Sequence, residues 1–422
     1  MRGPAPGIRM TARTSSTLFR FFWQAGGQTA GRLVSLASLV IAARELGLDR
    51  YGRFVVLLAL LEACMIPWKS TVLQAAAVAQ GRSEDGAGWG GTVARWWALG
   101  AIVLGGAATW FDGWEAGVAL AACAAASALM FAHVPALIRT GRQRRFALGN
   151  LTAQSVRLAL TVALVWFGGL TPIIALLAVG GGSLAGAAAM WVRSRPHTGT
   201  PRWYVAEAST EAMRWTQAHA PILVVALVLG LGSAGGFDIL YKIIQALVQL
   251  LGGIGVLMLP AFLRPGESSA KVLARSLRLP TVLAVLAAAA TGLLAGPVLE
   301  AATGSGLPFG LAPLAFAPVV VLAPWMGVSW TALVVLGGPR WLVASQSAVS
   351  AVSVGASFLA VGGVVWAAVA ISAASLIGSG IRWLGLRSFE SLPPAGWLAP
   401  EAWRSDAAWV RAAVGRRGAA HE

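Results

Sequence analysis

Apolar runs of about 20 residues follow one another along most of the chain, each closed by a short cluster of charged, glycine or proline residues. A helix rising 1.5 Å per residue needs about 20 such residues to cross a bilayer core. On that template the pattern predicts twelve transmembrane helices, at roughly 19–43, 53–79, 93–111, 115–138, 147–168, 171–192, 216–232, 237–263, 280–300, 308–336, 341–361 and 363–386. Glycines after Gly230 and around Gly362 mark the two divisions that the apolar pattern alone leaves weakest. The expected fold class is an all-α, polytopic membrane protein.

Composition agrees. Of 422 residues 57% are hydrophobic and only 11% charged, with a mean hydropathy of +0.72, which excludes a soluble globular protein. The formal charge of +16 could suggest nucleic acid, but Lys and Arg are scattered in short clusters with no basic arm or reading motif. Topology accounts for them better. With the N-terminus in the cytoplasm, 25 of the 32 basic residues fall on the cytoplasmic side, as the positive-inside rule requires. Only Arg44, Arg50, Arg53 and Lys242 fall on the outer side, and Arg32, Lys69 and Arg157 remain inside the membrane. Trp89, Trp96, Trp110, Trp114, Trp191 and Trp341 sit at expected interfaces, where an amphipathic ring is stable. Cys64 and Cys123 lie in apolar runs and read as packing residues rather than a disulfide or metal site.

The basic stretch "MRGPAPGIRMTARTSSTLFR" leads into an apolar run too long for a signal-peptide core and reads as a retained cytoplasmic tail, residues 1–18. The longest cytoplasmic connection, 193–215, separates an N-terminal bundle of six helices (19–192) from a C-terminal one (216–386). Two halves of the same topology suit a transporter built from parallel repeats. Residues 387–422 form a cytoplasmic tail, and 398–417 within it could lie on the membrane surface as an interfacial helix.

Polar residues inside the spans are costly, about 2.5–3.5 kcal/mol for a mid-bilayer base, so their placement carries information. Gln24, Gln28, Arg32 and Ser35 follow i, i+4, i+8, i+11, a single stripe at 100° per residue. Asn150, Gln154, Arg157 and Thr161 repeat it in the fifth span, and Asp238, Lys242, Gln245 and Gln249 in the eighth. In the second span Glu62 and Lys69 are two turns apart with Pro67 between them, where a kink is expected. One reading has Glu62 neutralising Arg32 or Lys69 while the glutamines bond neighbouring helices. The other makes Arg32, Lys69 and Arg157 the lining of one hydrated cationic cavity, since one carboxylate cannot neutralise three cations. Asp238 and Lys242 are spaced for a local salt bridge, and either Glu62 or Asp238 could couple proton movement. Prolines 308, 313, 318 and 324 interrupt the tenth span, which is either bent or broken there or tolerates them as kinks. His133 and His219, near helix ends, read as capping or interface residues more readily than as proton carriers.

No GxxxxGK[ST] loop, Cys/His cluster or placeable Ser-His-Asp set is present, so neither a cofactor nor an enzymatic activity is expected. Two stretches resemble a known family. "LVIAARELGLDRYGRFVVLLALLEA" at 39–63 is similar to the end of helix one, the loop and the start of helix two in polysaccharide-type flippases of the MOP (multidrug/oligosaccharidyl-lipid/polysaccharide) exporter superfamily. There the pattern R-x-L-G-x-x-x-Y-G-x-F recurs, and Arg44, Leu46, Gly47, Tyr51, Gly52 and Phe54 match it. "IRTGRQRRFALGNLTAQSVRLAL" at 138–160 resembles the same family's basic loop into helix five.

What the resemblance implies is an O-antigen or exopolysaccharide flippase of the bacterial cytoplasmic membrane, working by alternating access between two MATE-like bundles. Its substrate would be a polyprenyl-pyrophosphate-linked oligosaccharide, its surroundings membrane lipids and possible polysaccharide assembly proteins, and its state monomeric. In that setting Arg32, Lys69 and Arg157 would meet phosphate and Gln24, Gln28, Gln154, Gln245 and Gln249 would meet sugar, with Glu62, Asp238 and Lys242 coupling or balancing charge. Some family members have fourteen helices against the twelve found here. Two other readings stay open. A cation-coupled multidrug exporter of the same superfamily would be expected to carry more membrane carboxylates than bases, and a non-transporting membrane scaffold would not need three polar stripes.

Overall fold

The computed structural model describes residues 14–69, 90–139, 142–191, 204–257, 268–304 and 310–389, with a few positions between 391 and 404. Among the described residues the regular structure is helical throughout. The helices are α1 (Thr14–Cys64), α2 (Gly90–Asp112), α3 (Trp114–Arg139), α4 (Gln143–Trp166), α5 (Pro172–Met190) and α6 (Tyr204–Leu229). They continue with α7 (Leu231–Leu257), α8 (Ser269–Thr303), α9 (Ala312–Ala315), α10 (Ala317–Val335), α11 (Pro339–Ser357) and α12 (Val364–Ser388), a 3₁₀ turn at Phe358–Gly362 joining the last two. Among the described residues nine stretches, from Trp114–Val134 to Val364–Ser388, are long and apolar enough to cross a membrane by length and composition. The chain is a polytopic all-α membrane protein.

The expected spans map onto this order. α1 holds the first of them and the start of the second, whose residues 70–79 lie outside the described ones; Gly47 at φ 71° interrupts an otherwise continuous run of 51 residues between them. That angle lies in the left-handed region, which glycine adopts without a Cβ penalty. Gly230 (φ 89°) and Gly363 (φ 111°) separate α6 from α7 and the 3₁₀ turn from α12 in the same way. The tenth span is broken, into α9 and α10 with Phe316 between them. The Ala315 carbonyl at the break accepts from the Ser372 hydroxyl, so the interruption leaves no unpaired acceptor there. A turn at Met65 precedes helical residues 66–69, next to Pro67.

The contacts divide the chain into two compact units. The first comprises residues up to Ser38, Cys64–Gly169 and Ile173–Ala208, and holds α2 to α5 with the first part of α1. The second comprises Leu39–Ala63, Leu170–Pro172 and Ser209 onward, and holds α7 to α12, most of α6 and the part of α1 around Gly47.

Small residues set the helix spacing in both, as expected where no hydrophobic force drives helices together in lipid. In the first unit a Cβ on Gly182 would lie 2.4 Å from the Ala153 carbonyl, bringing α5 close to α4. Cys123 is buried and its thiol donates to the Leu176 carbonyl at 3.1 Å, so it packs as expected. In the second unit a Cβ on Gly327 would stand 2.1 Å from the Gly252 carbonyl, holding α10 against α7. Trp110, Trp114 and Trp191 are exposed at helix ends, while Trp341 packs on Gly385; Trp89 and the Trp96 side chain lie outside the described residues.

Candidate functional site

The polar stripes fall into two groups, one in each unit. In the first unit α1 and α4 approach at Gly31, where a Cβ would be 2.8 Å from Asn150 Nδ2 and 3.6 Å from Gln154 Cγ. One turn on, Arg157 Nη1 donates to Ser35 Oγ at 3.3 Å, and a further turn on Ser38 and Thr161 hydroxyls meet at 3.3 Å. The expected stripe of α4 thus faces Gly31, Ser35 and Ser38 of α1, of which Ser35 belongs to the stripe expected there. Arg157 is buried, 7% exposed, whereas Arg32, one turn before Ser35, is exposed. The two guanidiniums therefore differ: one is held in a seam between helices and the other is accessible. Gln154 Oε1 in that seam is buried and has no hydrogen-bond partner among the described residues. Lys69 belongs to the same unit, half-buried at the end of the segment beyond Pro67. The side chains of Gln24 and Gln28 lie outside the described residues.

The two carboxylates that the sequence singles out, Glu62 and Asp238, fall in the second unit. The motif segment of α1 packs on the start of α7, since a Cβ on Gly52 would fall 1.9 Å from the Leu231 carbonyl oxygen and one on Gly235 2.6 Å from that of Leu48. This contact accounts for much of the R-x-L-G-x-x-x-Y-G-x-F pattern. Gly47 supplies the left-handed bend, Gly52 the close approach, and Leu46, Tyr51 and Phe54 are buried. The Tyr51 hydroxyl then donates to Asp238 Oδ2 at 3.0 Å, with Asp238 1% exposed. Lys242, one turn on, acts on it electrostatically ahead of Tyr51, His219 and Glu62.

Glu62 finds its partner on α6. His219 Nε2 lies 3.7 Å from Glu62 Oε2, while His219 Nδ1 is 3.1 Å from the Trp215 carbonyl and the imidazole stacks on the Trp215 ring at 5.6 Å and 17°. The Trp215 indole donates to the Ala59 carbonyl at 2.9 Å, fixing α6 to α1. On α7, Tyr241 donates to the Gln217 carbonyl at 3.2 Å and shares a hydrogen bond with Gln245; Gln249 is exposed.

Two residues that the sequence left unmarked stand out in the second unit. Arg382 on α12 is 3% exposed and donates to Ser345 Oγ at 2.9 Å and the Met326 carbonyl at 2.7 Å. Its guanidinium lies 5.3 Å over the Trp330 ring, and Arg214, paired with Glu211 at 2.6 Å, lies 5.5 Å over the same ring. No local spacing announces this contact, because its members come from α6, α10, α11 and α12.

No protein-family profile matches the chain, and no curated protein matches it in sequence. Solved structures do match in fold, among them proteins described as transporters of the MOP superfamily. The chain is similar to "Lipid II flippase MurJ, inward closed conformation" at a TM-score of 0.66 and 14% identity over 89% of each chain. It is also similar to the MATE multidrug transporter DinF-BH, at 0.61 and 13% over 92% of this chain and 99% of that one. A MOP superfamily transporter from Pyrococcus furiosus, whose binding pocket is described as reversed in polarity, matches at 0.53 and 13% over 89% and 96%.

Proposed function

We propose that the protein is a flippase that carries a polyprenyl-pyrophosphate-linked oligosaccharide from the cytoplasmic to the outer leaflet by alternating access. The fold supports a transporter of this class, and the resemblance of residues 39–63 and 138–160 points to the polysaccharide branch. One observation carries the choice of substrate: the polar seam of α1 and α4 sets Arg157 beside Ser35, with the exposed Arg32 one turn away on the same helix. A diphosphate needs cations, and guanidinium offers it a planar fork of donors. In this reading Arg157 is the fixed cation and Arg32 and Lys69 the accessible ones. Asn150, Gln154 and the other glutamines of the stripes bond sugar hydroxyls while the polyprenyl tail stays in lipid. The protein works as a monomer in a bacterial cytoplasmic membrane, both termini inside, in two six-helix halves bounded near 19–192 and 216–386, beside proteins of polysaccharide assembly.

The multidrug-exporter reading is favoured by the buried Asp238 and its Tyr51 partner, since a membrane carboxylate suits cationic cargo. Transfer in proteoliposomes separates the two. A fluorescent lipid-linked oligosaccharide should change leaflets on reconstitution with the protein, and a lipophilic cation should not be expelled. Expulsion of the cation without movement of the lipid-linked sugar would reverse the assignment.

A further inference from the structure

Backbone carbonyls accept hydrogen bonds and never donate them. The 3.1 Å contact of His219 Nδ1 with the Trp215 carbonyl therefore places a proton on Nδ1 and leaves Nε2 as the nitrogen that gains or loses one. Nε2 is buried and has no hydrogen-bond partner among the described residues, yet it points at Glu62 Oε2 from 3.7 Å. That separation is too long for a formed hydrogen bond and short enough for an ion pair once Nε2 is protonated. A buried ring nitrogen aimed at a carboxylate in this way is a place for a proton.

We infer that Glu62, His219 and Asp238 form a proton-binding site inside the second unit, with Tyr51 and Trp215 as its positioning residues. Three elements build it. α1 brings Glu62 and Tyr51, α6 brings His219 on its Trp215 shelf, and α7 brings Asp238 and Lys242, with Tyr241 a turn away. Phe316, between α9 and α10, closes the side of α7 with an apolar ring against Phe237 and Tyr241. Arg214, lower on α6, is engaged by Glu211 and Trp330.

The loading step is one proton adding to the Nε2 lone pair, which turns the imidazole into an imidazolium facing Glu62. Unloading returns the proton to water. Asp238, held by the Tyr51 hydroxyl, responds electrostatically to the change from within the contact between α1 and α7. Loading would thus alter the charge borne where those two helices approach at Gly52 and Gly235. A bare metal cation fits less well, because no group of three or more His, Cys, Asp or Glu suited to a metal ion is found among the described residues.

The inference rests on the transporter reading but not on the identity of the cargo, and two measurements keep them apart. The first needs no substrate. The chain has four histidines, so ¹⁵N-histidine NMR of the whole protein in micelles, compared with His219→Gln, isolates the His219 ring. The ring should be in the Nδ1–H form at high pH and doubly protonated at low pH. Glu62→Gln and Asp238→Asn, which keep shape, should each move the pH of that conversion, and sodium at constant ionic strength should not. An Nε2–H form, a ring that never titrates, a conversion unmoved by either variant, or one displaced by sodium would overturn the proton site. The second measurement is transfer of lipid-linked sugar with and without an imposed pH gradient. Wild type should be accelerated several-fold by the gradient, and His219→Gln and Glu62→Gln should lose that acceleration while retaining the gradient-independent rate. Acceleration surviving in both variants refutes the site, whereas no transfer by wild type under any gradient refutes the cargo assignment alone.

Discussion

Gly52→Ala should be among the most damaging single-methyl additions in the protein. The new Cβ would lie 1.9 Å from the Leu231 carbonyl oxygen, 2.6 Å from its carbonyl carbon and 3.1 Å from its Cα. Ordinary C···O approach is about 3.3–3.6 Å, so α1 and α7 would have to part by more than 1 Å. All three clashing atoms are backbone, and no rotamer relieves them. Overpacking typically costs about 1–3 kcal/mol and occasionally more; the upper end, about 3 kcal/mol, is expected here. The same separation would stretch the 3.0 Å bond of Tyr51 to Asp238, a few residues away on each helix. Two controls isolate the cause. Gly100→Ala adds a methyl with nothing within 4 Å on α2 and should be neutral or stabilising by up to about 1 kcal/mol through helix propensity. Gly47→Ala also meets nothing within 4 Å but forces a non-glycine residue to φ 71°, costing about 1–2 kcal/mol from strain alone. Equilibrium unfolding in mixed micelles against the detergent mole fraction ranks the three. If Gly52→Ala proves within about 0.5 kcal/mol of wild type, the close approach of α1 to α7 is wrong.

Other outcomes follow from single contacts. Arg157→Ala should slow lipid-linked sugar transfer at least about 10-fold, the equivalent of about 1.4 kcal/mol, and Arg157→Lys should keep part of the rate because charge survives while the fork is lost. Ser35→Ala should cost only about 0.6 kcal/mol of stability, the average for interhelical hydrogen bonds in membranes, in unfolding assays. Removing the hydroxyl that serves the broken tenth span, Ser372→Ala, should destabilise by about 1 kcal/mol, since the Ala315 carbonyl is then left unpaired. Cys64 and Cys123, both buried, should resist a membrane-permeant maleimide in the folded protein and react fully on unfolding.

Hydropathy made the order of the spans legible but not the limits of the helices. The charged residues Glu45, Asp49 and Arg50 suggested a loop from 44 to 52, yet the helix runs through them and breaks only at Gly47. Likewise α8 begins at Ser269, some ten residues before its expected span at 280, and carries Lys271, Arg275 and Arg278 within it. Charge marks where hydrocarbon ends, whereas glycine conformation and capping mark where a helix ends. The stripe of α4 was legible because i, i+4, i+7 positions share a face, and on α1 the same spacing marked Ser35 but not Gly31 and Ser38, which complete the contact. His219 was not, because what distinguishes it lies at Glu62 and Asp238, on two other helices. Its sequence neighbourhood gives only a histidine near a helix end. Glu62 was read against the bases of the first unit, and the imidazole 3.7 Å from it could be found only in three dimensions.

In the proposed function the mid-membrane bases of the first unit serve a diphosphate. This role is tested most directly by reconstituting the Arg32→Ala, Lys69→Ala, Arg157→Ala triple variant and following a fluorescent lipid-linked oligosaccharide between leaflets. Wild-type and variant protein are first matched for insertion and for unfolding midpoint. The account predicts that the matched triple variant transfers at the rate of protein-free vesicles, while wild type empties the donor leaflet. Wild-type transfer rates in that variant would contradict it.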